Sequence, residues 1–167
     1  MSCNNENLNK LDDTWVLWTH LPHDTNWSLE SYKKISSINY VEECIELYKN
    51  IPDEIILKCM LFIMREGINP LWEDENNIKG GCFSYKVLDI DIVNTWKKLN
   101  YMTLGETLTK DENLSKYING ISISPKKNFS IIKVWLKTSE YESPDIINDI
   151  EPYIISNCCM FKKHEIK

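Results

Sequence analysis

The stretch that decides the fold reads Asn69-Pro70-Leu71-Trp72-Glu73-Asp74-Glu75-Asn76, and Lys79-Gly80-Gly81 follows it. Pro70 ends regular structure before the stretch, and the glycine pair predicts a backbone turn after it. A tryptophan in such a polar loop either covers the core or serves as a platform for a ligand. Because the Glu73 carboxylate lies beside Trp72, the matching ligand is a planar cation that also donates hydrogen bonds. A methylated purine fits this description.

The composition is that of a single soluble globular domain. The chain has 167 residues, of which 43% are hydrophobic and 26% are charged. This length suits one hydrophobic core. A net charge of −6 excludes general coating of nucleic acid, which needs a broad basic surface. Any phosphate-binding site is therefore expected to be a local cluster of lysines.

The cysteines and histidines do not predict a metal centre. The six cysteines form no Cys-x-x-Cys pair, and the three histidines are scattered, so we expect no zinc site and no cofactor. The first residues lack the apolar stretch of a signal peptide. No apolar run approaches the ~18 residues that span a membrane. A cytoplasmic protein with reduced cysteines is the interpretation that follows.

Alternating apolar and polar residues predict a chain rich in strands, with helices between them. The predicted strands are Thr14–His20, Tyr32–Ile38, Leu57–Arg65, Gly81–Leu88, Ile118–Ser124, Phe129–Lys137 and Cys158–Lys163. The predicted helices are Tyr40–Tyr48, Ile90–Asn100 and Pro144–Ile155. The last of these has Ser143 as its cap and Pro144 in its first turn. The fold class is α+β, an antiparallel sheet covered on one face by helices.

The tryptophans divide into core residues and candidates for binding. Trp15 and Trp18 lie on opposite faces of one strand, so at least one belongs to the core. Trp96 lies on the apolar face of a helix and is expected in the core. Trp27 follows a polar loop that gives it nothing to pack on, so Trp27 and Trp72 remain open to either role.

Trp135 shares its strand face with Lys133 and Lys137. A tryptophan between lysines suits the wall of a site for an anionic ligand. The alternative is a tryptophan that covers the edge of the sheet.

These motifs together resemble the eukaryotic translation initiation factor 4E family, which binds the mRNA cap. The resemblance runs from Leu11 to the C-terminus. It rests on Trp15-Val16-Leu17-Trp18, Trp27, Val41-Glu42-Glu43, Leu47-Tyr48, Pro70 to Asp74, Gly80-Gly81, Trp96, Gly105-Glu106 and Trp135. It implies a strongly curved sheet with about three helices on the convex face and the ligand on the concave side. Residues 11–167 would form the cap-binding domain of a monomer, and residues 1–10 a flexible tail.

The resemblance also implies the role of each pocket residue. Trp27 and Trp72 would stack on the two faces of 7-methylguanine, and Glu73 would accept hydrogen bonds from its Watson–Crick edge. Trp135 would contact the N7-methyl group. By itself, Glu73 is better interpreted as a solvated surface charge, and its place directly after Trp72 is what favours the guanine contact.

The expected phosphate site departs from the family pattern. Lys126 matches the first basic position of the hairpin, and Lys127 follows it. The next basic positions fall on Asn128 and Ile131, and the arginine expected after the glycine pair is Cys82. Lys133 and Lys86 are candidates to compensate. Since the chain ends soon after the last strand, we expect fewer or rearranged triphosphate contacts.

The expected partner site also departs from the family pattern. The resemblance implies that Val41, Ile45 and Tyr101 receive a helix of a scaffold protein of the initiation factor 4G type, or of a divergent replacement. Ile45 stands where relatives carry a tryptophan, and the loss of such a residue typically weakens an interface by ~2 kcal/mol or more.

Three functions follow from the sequence. The first is a non-enzymatic factor that recruits capped mRNA for translation. The second is a cap-binding repressor or decoy without a scaffold. The third is a nucleotide hydrolase that binds a metal through Glu73, Asp74 and Glu75, for which the sequence offers no base constellation.

Overall fold

Seven strands form one antiparallel sheet in the computed structural model, which describes residues 7–165. The strands are β1 (Lys10–His20), β2 (Tyr32–Tyr40), β3 (Met60–Arg65), β4 (Gly81–Leu88), β5 (Ile118–Pro125), β6 (Phe129–Leu136) and β7 (Cys159–Lys163). Their order in the sheet is β2-β1-β3-β5-β6-β4-β7. The predicted strands are confirmed, apart from the start of β3.

Three α-helices accompany the curved sheet: α1 (Val41–Asn50), α2 (Asp53–Lys58) and α3 (Asp89–Leu104). Short 3-10 turns cover Leu29–Ser31, Glu112–Tyr117, Pro144–Ile146 and Ser156–Cys158. The predictions of α1 and α3 are confirmed. The predicted α+β class and the antiparallel sheet with helices on one face are confirmed too.

Alternation along the strands sends side chains into two separate clusters. Trp15 and Leu17 of β1 point to the helices, where they pack in the main core with Trp96 of α3. Val16 and Trp18 point to the opposite, concave face and join a smaller apolar cluster there. Trp15 and Trp96 are fully buried. This confirms the expectation that at least one of Trp15 and Trp18 belongs to the core, and that Trp96 does. Trp18 forms part of the floor of the concave face.

The prediction of a helix over Pro144–Ile155 is wrong. Only Pro144–Ile146 forms a 3-10 turn, and the Ser143 hydroxyl caps it by accepting a hydrogen bond from the N–H of Asp145. Beyond it, Ile147 and Ile150 form isolated β-bridges. Pro152 lacks an N–H and disfavours helical backbone in the residue before it, so the segment cannot continue as a helix. Its isoleucines reach the core from an irregular chain instead.

The prediction of a strand from Leu57 is also wrong at its start, because residues 53–58 form α2. The sequence carries the signals of a short helix. Pro52 precedes it, Asp53 and Glu54 lie in its first turn, and Lys58 lies in its last turn. Those charges complement the helix dipole. Ile56 is buried against the core.

Gly80 and Gly81 are needed for close approach rather than for a turn with positive φ. A Cβ on Gly80 would collide with the carbonyl group of Leu136, and one on Gly81 would lie 2.5 Å from the carbonyl oxygen of Lys162. Among the glycines that the structure describes, only Gly67 has a positive φ. The pair therefore lets β4 enter the sheet tightly between β6 and β7.

Residues 1–6 of the predicted N-terminal tail, which include Cys3, lie outside the described residues, as do residues 166–167. The described part that follows is attached to α1. The backbone and side-chain N–H groups of Asn9 donate to the Glu42 carboxylate, and the Asn9 carbonyl accepts from the N–H of Val41. Leu11 is buried in the core.

Candidate functional site

The concave face carries a cavity of about 250 Å³ at the position expected for a ligand. Its lining is aromatic, with one carboxylate and one amine: Trp27, Tyr32, Met60, Phe62, Pro70, Leu71, Trp72, Glu73, Ser122, Lys133 and Trp135. Five of the six predicted pocket residues are therefore brought together: Trp27, Trp72, Glu73, Lys133 and Trp135. Tyr32 and Ser122 also line the cavity, although the sequence analysis did not single them out.

The loop of Trp72 is held by two polar side chains. Asp74 accepts hydrogen bonds from the N–H of Asn69 at 3.0 Å and of Asn76 at 2.8 Å. Asn77 is fully buried, and its amide donates to the carbonyl oxygens of Asn69 and Leu71. The carboxylate of Asp74 and the amide of Asn77 thus pair with backbone groups on both sides of Trp72 and hold the shape of its loop.

Glu73 lies at the rim of this cavity with its carboxylate available. The side chain is exposed, and among the described residues no donor hydrogen-bonds to it. Burial, together with the nearby charge of Glu73, raises the pKa of Tyr32 to about 12. Tyr32 therefore stays neutral. It lines the same cavity as Glu73, whose carboxylate forms no salt bridge with any residue of 7–165.

Trp135 forms the back wall of the cavity. Only 7% of it is exposed, its indole N–H donates to the Ser122 hydroxyl at 2.9 Å, and its ring meets Phe62 edge-on at 6.4 Å. Lys133 lies two residues earlier on the same strand face and is exposed. Trp135 is thus packed as part of the concave cluster and still offers an edge to the cavity.

A second cavity of about 310 Å³ adjoins the first and shares Trp72, Lys133 and Trp135 with it. Its remaining lining comes from β4 and from the residues in and after β7: Cys82, Lys162, Lys163, His164 and Glu165. Three of the eight residues that line this second cavity carry an amine or an imidazole in addition to Lys133: Lys162, Lys163 and His164. We did not predict Lys162, Lys163 and His164 from the sequence, although the Lys-Lys-His run at the end of the last strand was a visible signal.

His164 and Cys82 form a neutral pair in that second cavity. The Nδ1 of His164 lies 2.7 Å from the carbonyl oxygen of Asn77, so Nδ1–H donates and Nε2 is left as an acceptor. The Cys82 thiol lies 3.3 Å from Nε2 and donates to it. Burial raises the pKa of Cys82 to about 12. Burial, followed by the nearby Lys133 and Lys162, lowers the pKa of His164.

Lys126 is not brought to either cavity. It lies in the turn between β5 and β6, where its N–H donates to the carbonyl of Phe129, and neither cavity is lined by it or by Lys127. The amine of Lys86 lies 4.5 Å above the ring of Phe129 and is also outside both linings. Of the lysines considered from the sequence, Lys133 alone reaches the site.

On the opposite face, the three predicted partner residues come together. Val41, Ile45 and Tyr101 line an apolar groove of about 440 Å³, with Leu11, Cys44, Leu104 and Gly105. All three are more than a third exposed. Exposed apolar side chains around one groove are typical of a surface that receives a partner.

Metal ligands and membrane segments are not found in the described part of the chain. Within residues 7–165, no group of three or more His, Cys, Asp or Glu side chains is arranged to hold a metal ion. Asp74 is occupied by the backbone of its own loop. No helix in those residues is long and apolar enough to cross a membrane.

Comparison with known proteins places this geometry in a family. The model of the eukaryotic initiation factor 4E family matches residues 10–165. Eukaryotic translation initiation factor 4E of Saccharomyces cerevisiae is 31% identical over 139 residues, which are 79% of this chain and 63% of that protein. The chain thus spans just under two thirds of that relative's length.

Solved structures agree in fold. Ascaris suum eIF4E-3 with an m7G cap superposes with a TM-score of 0.71 at 25% identity, over 81% of this chain and 77% of that one. Caenorhabditis elegans eIF4E-3, solved with the 4E-binding protein Mextli and a cap analog, superposes with a TM-score of 0.69 at 26% identity, over 78% and 75% of the two chains. The family match over nearly the whole chain, on this sheet and this aromatic cavity, shows that the chain belongs to the eukaryotic initiation factor 4E family.

Proposed function

We propose that this chain binds the 7-methylguanosine cap of mRNA and recruits capped mRNA for translation initiation in the cytoplasm, without catalysis. The observation that carries the proposal is the cavity in which Trp27, Trp72 and the free carboxylate of Glu73 meet. The proposal is supported by the relatives, since the Saccharomyces cerevisiae protein is named a translation initiation factor. The Ascaris suum protein was solved with an m7G cap.

The chemistry of a methylated guanine matches these side chains. Methylation at N7 leaves a delocalised positive charge on the ring, which favours stacking between two indoles. Stacking contributes about 1–3 kcal/mol per aromatic, and the cation–π attraction about 0.5–2 kcal/mol. Glu73 accepts from N1–H and the exocyclic amine together, which discriminates by about 1–3 kcal/mol against bases without both donors.

The guanine O6 also has a donor in this cavity. Among the described residues, no acceptor pairs with the backbone N–H of Trp72, and O6 would receive it. With an association cost of at least ~4 kcal/mol, the base contacts support roughly micromolar affinity, and the phosphates supply anything tighter.

The test is a titration of the intrinsic tryptophan fluorescence with 7-methyl-GTP and, in parallel, with GTP. We expect strong quenching with the methylated ligand and much weaker quenching with GTP, because only the methylated ring carries the positive charge. Equal quenching, or none with either ligand, would contradict the proposal.

The phosphate contacts are proposed to come from Lys133 and Lys162 rather than from an arginine at position 82. Both lysines line the second cavity. Cys82 and His164 line it too, but burial favours the neutral form of each, so this pair has no positive charge to place beside a phosphate. Lys126, in the turn of the β5–β6 hairpin, is the alternative contact predicted from the sequence, and it lines neither cavity.

Substituting these lysines by alanine separates their contributions. We expect Lys133→Ala and Lys162→Ala each to weaken 7-methyl-GTP binding by roughly 10-fold, as the loss of a charge-assisted hydrogen bond does. The effect on 7-methylguanosine, which has no phosphate, should be small. Lys126→Ala is the comparison variant, and calorimetry with both ligands is the measurement. If Lys126→Ala alone were damaging, the phosphate path would run along the hairpin.

The partner is proposed to be a scaffold helix that docks in the convex groove. The apolar lining by Val41, Ile45 and Tyr101 supports a recruiting factor over a repressor that engages no scaffold. The Caenorhabditis elegans relative was solved with a 4E-binding protein, which supports a protein partner for this chain.

Ile45 is the residue that tests the partner site. Because a charge in an apolar groove is costly to desolvate, Ile45→Asp should weaken binding of a Tyr-x-x-x-x-Leu-apolar scaffold peptide by ~2 kcal/mol or more. Ile45→Trp should strengthen it. Pull-down and calorimetry with the peptide measure both, and the unchanged cap affinity of each variant is the control. If the protein is a repressor that engages no scaffold, the wild-type protein and the Ile45→Trp variant should both fail to bind the peptide.

A further inference from the structure

The aromatic ring of Trp27 does not stand free in its loop. Its indole is stacked on the imidazole of His20, with the ring centroids 4.2 Å apart and the planes 1° from parallel. The two residues differ in exposure, since His20 is 1% exposed and Trp27 is 54% exposed. One face of the indole is therefore covered by a buried ring, and the rest of the side chain is open.

The imidazole is itself held in place. Its Nε2 lies 2.8 Å from the carbonyl oxygen of Asn26, and since a carbonyl only accepts, Nε2–H donates. The Ser31 hydroxyl donates to the same carbonyl at 2.5 Å. The ring of Tyr32, which is paired with His20 across β1 and β2, lies 4.8 Å from the imidazole. His20 thus links the end of β1 to the residue that directly precedes Trp27.

The two faces of the Trp27 indole have different surroundings. Trp27 lines the cavity that faces Trp72 and Glu73, and His20 does not. The face of the indole opposite the imidazole is then the one left for a ligand. We propose that His20 is a positioning residue, which holds Trp27 pre-oriented as one of the two stacking platforms for a methylated purine. The identity of the ligand in this inference rests on the proposed function. The stacking of His20 on Trp27 does not.

The physical reason lies in conformational entropy. A half-exposed tryptophan in a polar loop samples several rotamers unless another group fixes it, and ordering such a side chain on binding opposes association. Removing the support is therefore expected to weaken binding by roughly 2- to 12-fold. The Nδ1 of His20 is buried without a partner among the described residues, so phenylalanine gives up only the Nε2 hydrogen bond and keeps a planar ring.

The first experiment needs no ligand. The protein is labelled with 5-fluorotryptophan, and Trp27→Phe identifies the resonance of Trp27 in the ¹⁹F spectrum. In the unliganded protein we expect one ordered Trp27 resonance, shifted by the ring current of His20. His20→Leu, which fills the site without a ring, should move that resonance towards the solvent-exposed value. His20→Phe should retain the shift. A Trp27 resonance that is the same in His20→Leu and wild type overturns the inference.

The second experiment measures affinity for 7-methyl-GTP by calorimetry in a double-mutant cycle. His20→Leu should weaken binding 2- to 12-fold in the chain that contains Trp27, and His20→Phe should restore it to within about twofold. In a Trp27→Ala background, His20→Leu should have no further effect, because no platform remains to be held. An equal loss in both backgrounds would mean that His20 supports only the general structure, and would overturn the inference.

The two experiments separate the inference from the proposed function. If wild type does not bind 7-methyl-GTP, the proposed function fails, and the ¹⁹F spectra still decide whether His20 holds Trp27. If wild type binds and His20→Leu binds equally well, the function stands and the positioning role fails. Unfolding midpoints of each variant are measured alongside, and His20→Phe serves as the folded reference if His20→Leu is destabilised.

Discussion

Replacing Trp72 with alanine is expected to weaken binding of 7-methyl-GTP by roughly 30- to 1000-fold, or about 2–4 kcal/mol, because stacking and the cation–π attraction are lost together. The loop itself should persist, since Asp74 and Asn77 hold its backbone independently of the indole. Trp72 is also a fluorescent reporter, so calorimetry, rather than quenching, is the appropriate measurement.

Glu73→Ala tests the other half of the recognition. Losing two hydrogen bonds to a cationic base should weaken binding by about 1.5–3 kcal/mol, roughly 10- to 150-fold. Glu73→Gln should recover little of the lost affinity, because the amide N–H2 group of glutamine cannot accept a hydrogen bond from the guanine edge. Glu75 provides a matched control, being an exposed glutamate two residues away that does not line the cavity. Binding by both Trp72→Ala and Glu73→Ala within about threefold of wild type would exclude this cavity as the cap site.

Arg65→Met is expected to destabilise the fold by about 3–5 kcal/mol, the effect typical of breaking a buried ion pair from one side. The side chains of Arg65 and Glu106 are only 13% and 14% exposed. The guanidinium donates to the Glu106 carboxylate through Nη1 and Nη2, and to the carbonyl oxygens of Ile118 and Ser115. Its carbon also lies 4.4 Å above the ring of Trp15. Methionine would leave Glu106 and two carbonyl groups without a partner.

Urea unfolding measures the loss in the free energy of unfolding. Two further variants show whether the loss comes from the buried charge. Arg65→Met combined with Glu106→Met should regain part of the stability, because no unpaired charge then remains buried. Lys58→Ala removes an exposed ion pair with Glu54 and should have almost no effect. A loss below about 1 kcal/mol in Arg65→Met would mean that water or another cation replaces the guanidinium.

Local patterns were sufficient for most of the fold. The alternation in Trp15 to Trp18 indicated a strand with two apolar faces, and both faces are used, one in each cluster. The spacing of Ile92, Val93, Trp96 and Leu99 indicated a helix, and α3 is there. These signals are readable because each depends on neighbours within two to four residues along the chain.

Local patterns predicted the wrong backbone conformation in two apolar segments. The isoleucines between Pro144 and Ile155 have helical spacing, yet they reach the core from an irregular segment. The apolar run from Leu57 was interpreted as strand, although Leu57 and Lys58 end a helix. An apolar residue signals that it is buried, but does not specify which backbone conformation brings it to the core.

The sequence by itself determined the antiparallel α+β class and the loop tryptophans, Trp27 and Trp72, with Glu73 beside the second. Only the tertiary structure decided that Lys162 and His164 join them, while Lys126 stays outside the cavities, and that His20 supports Trp27. The register of β7 against β4 brings the residues after Lys163 beside Cys82. The pairing of β1 with β2 closes the loop of Trp27 over His20. Such pairings join residues far apart in the chain, and long-range packing rather than any local pattern selects them.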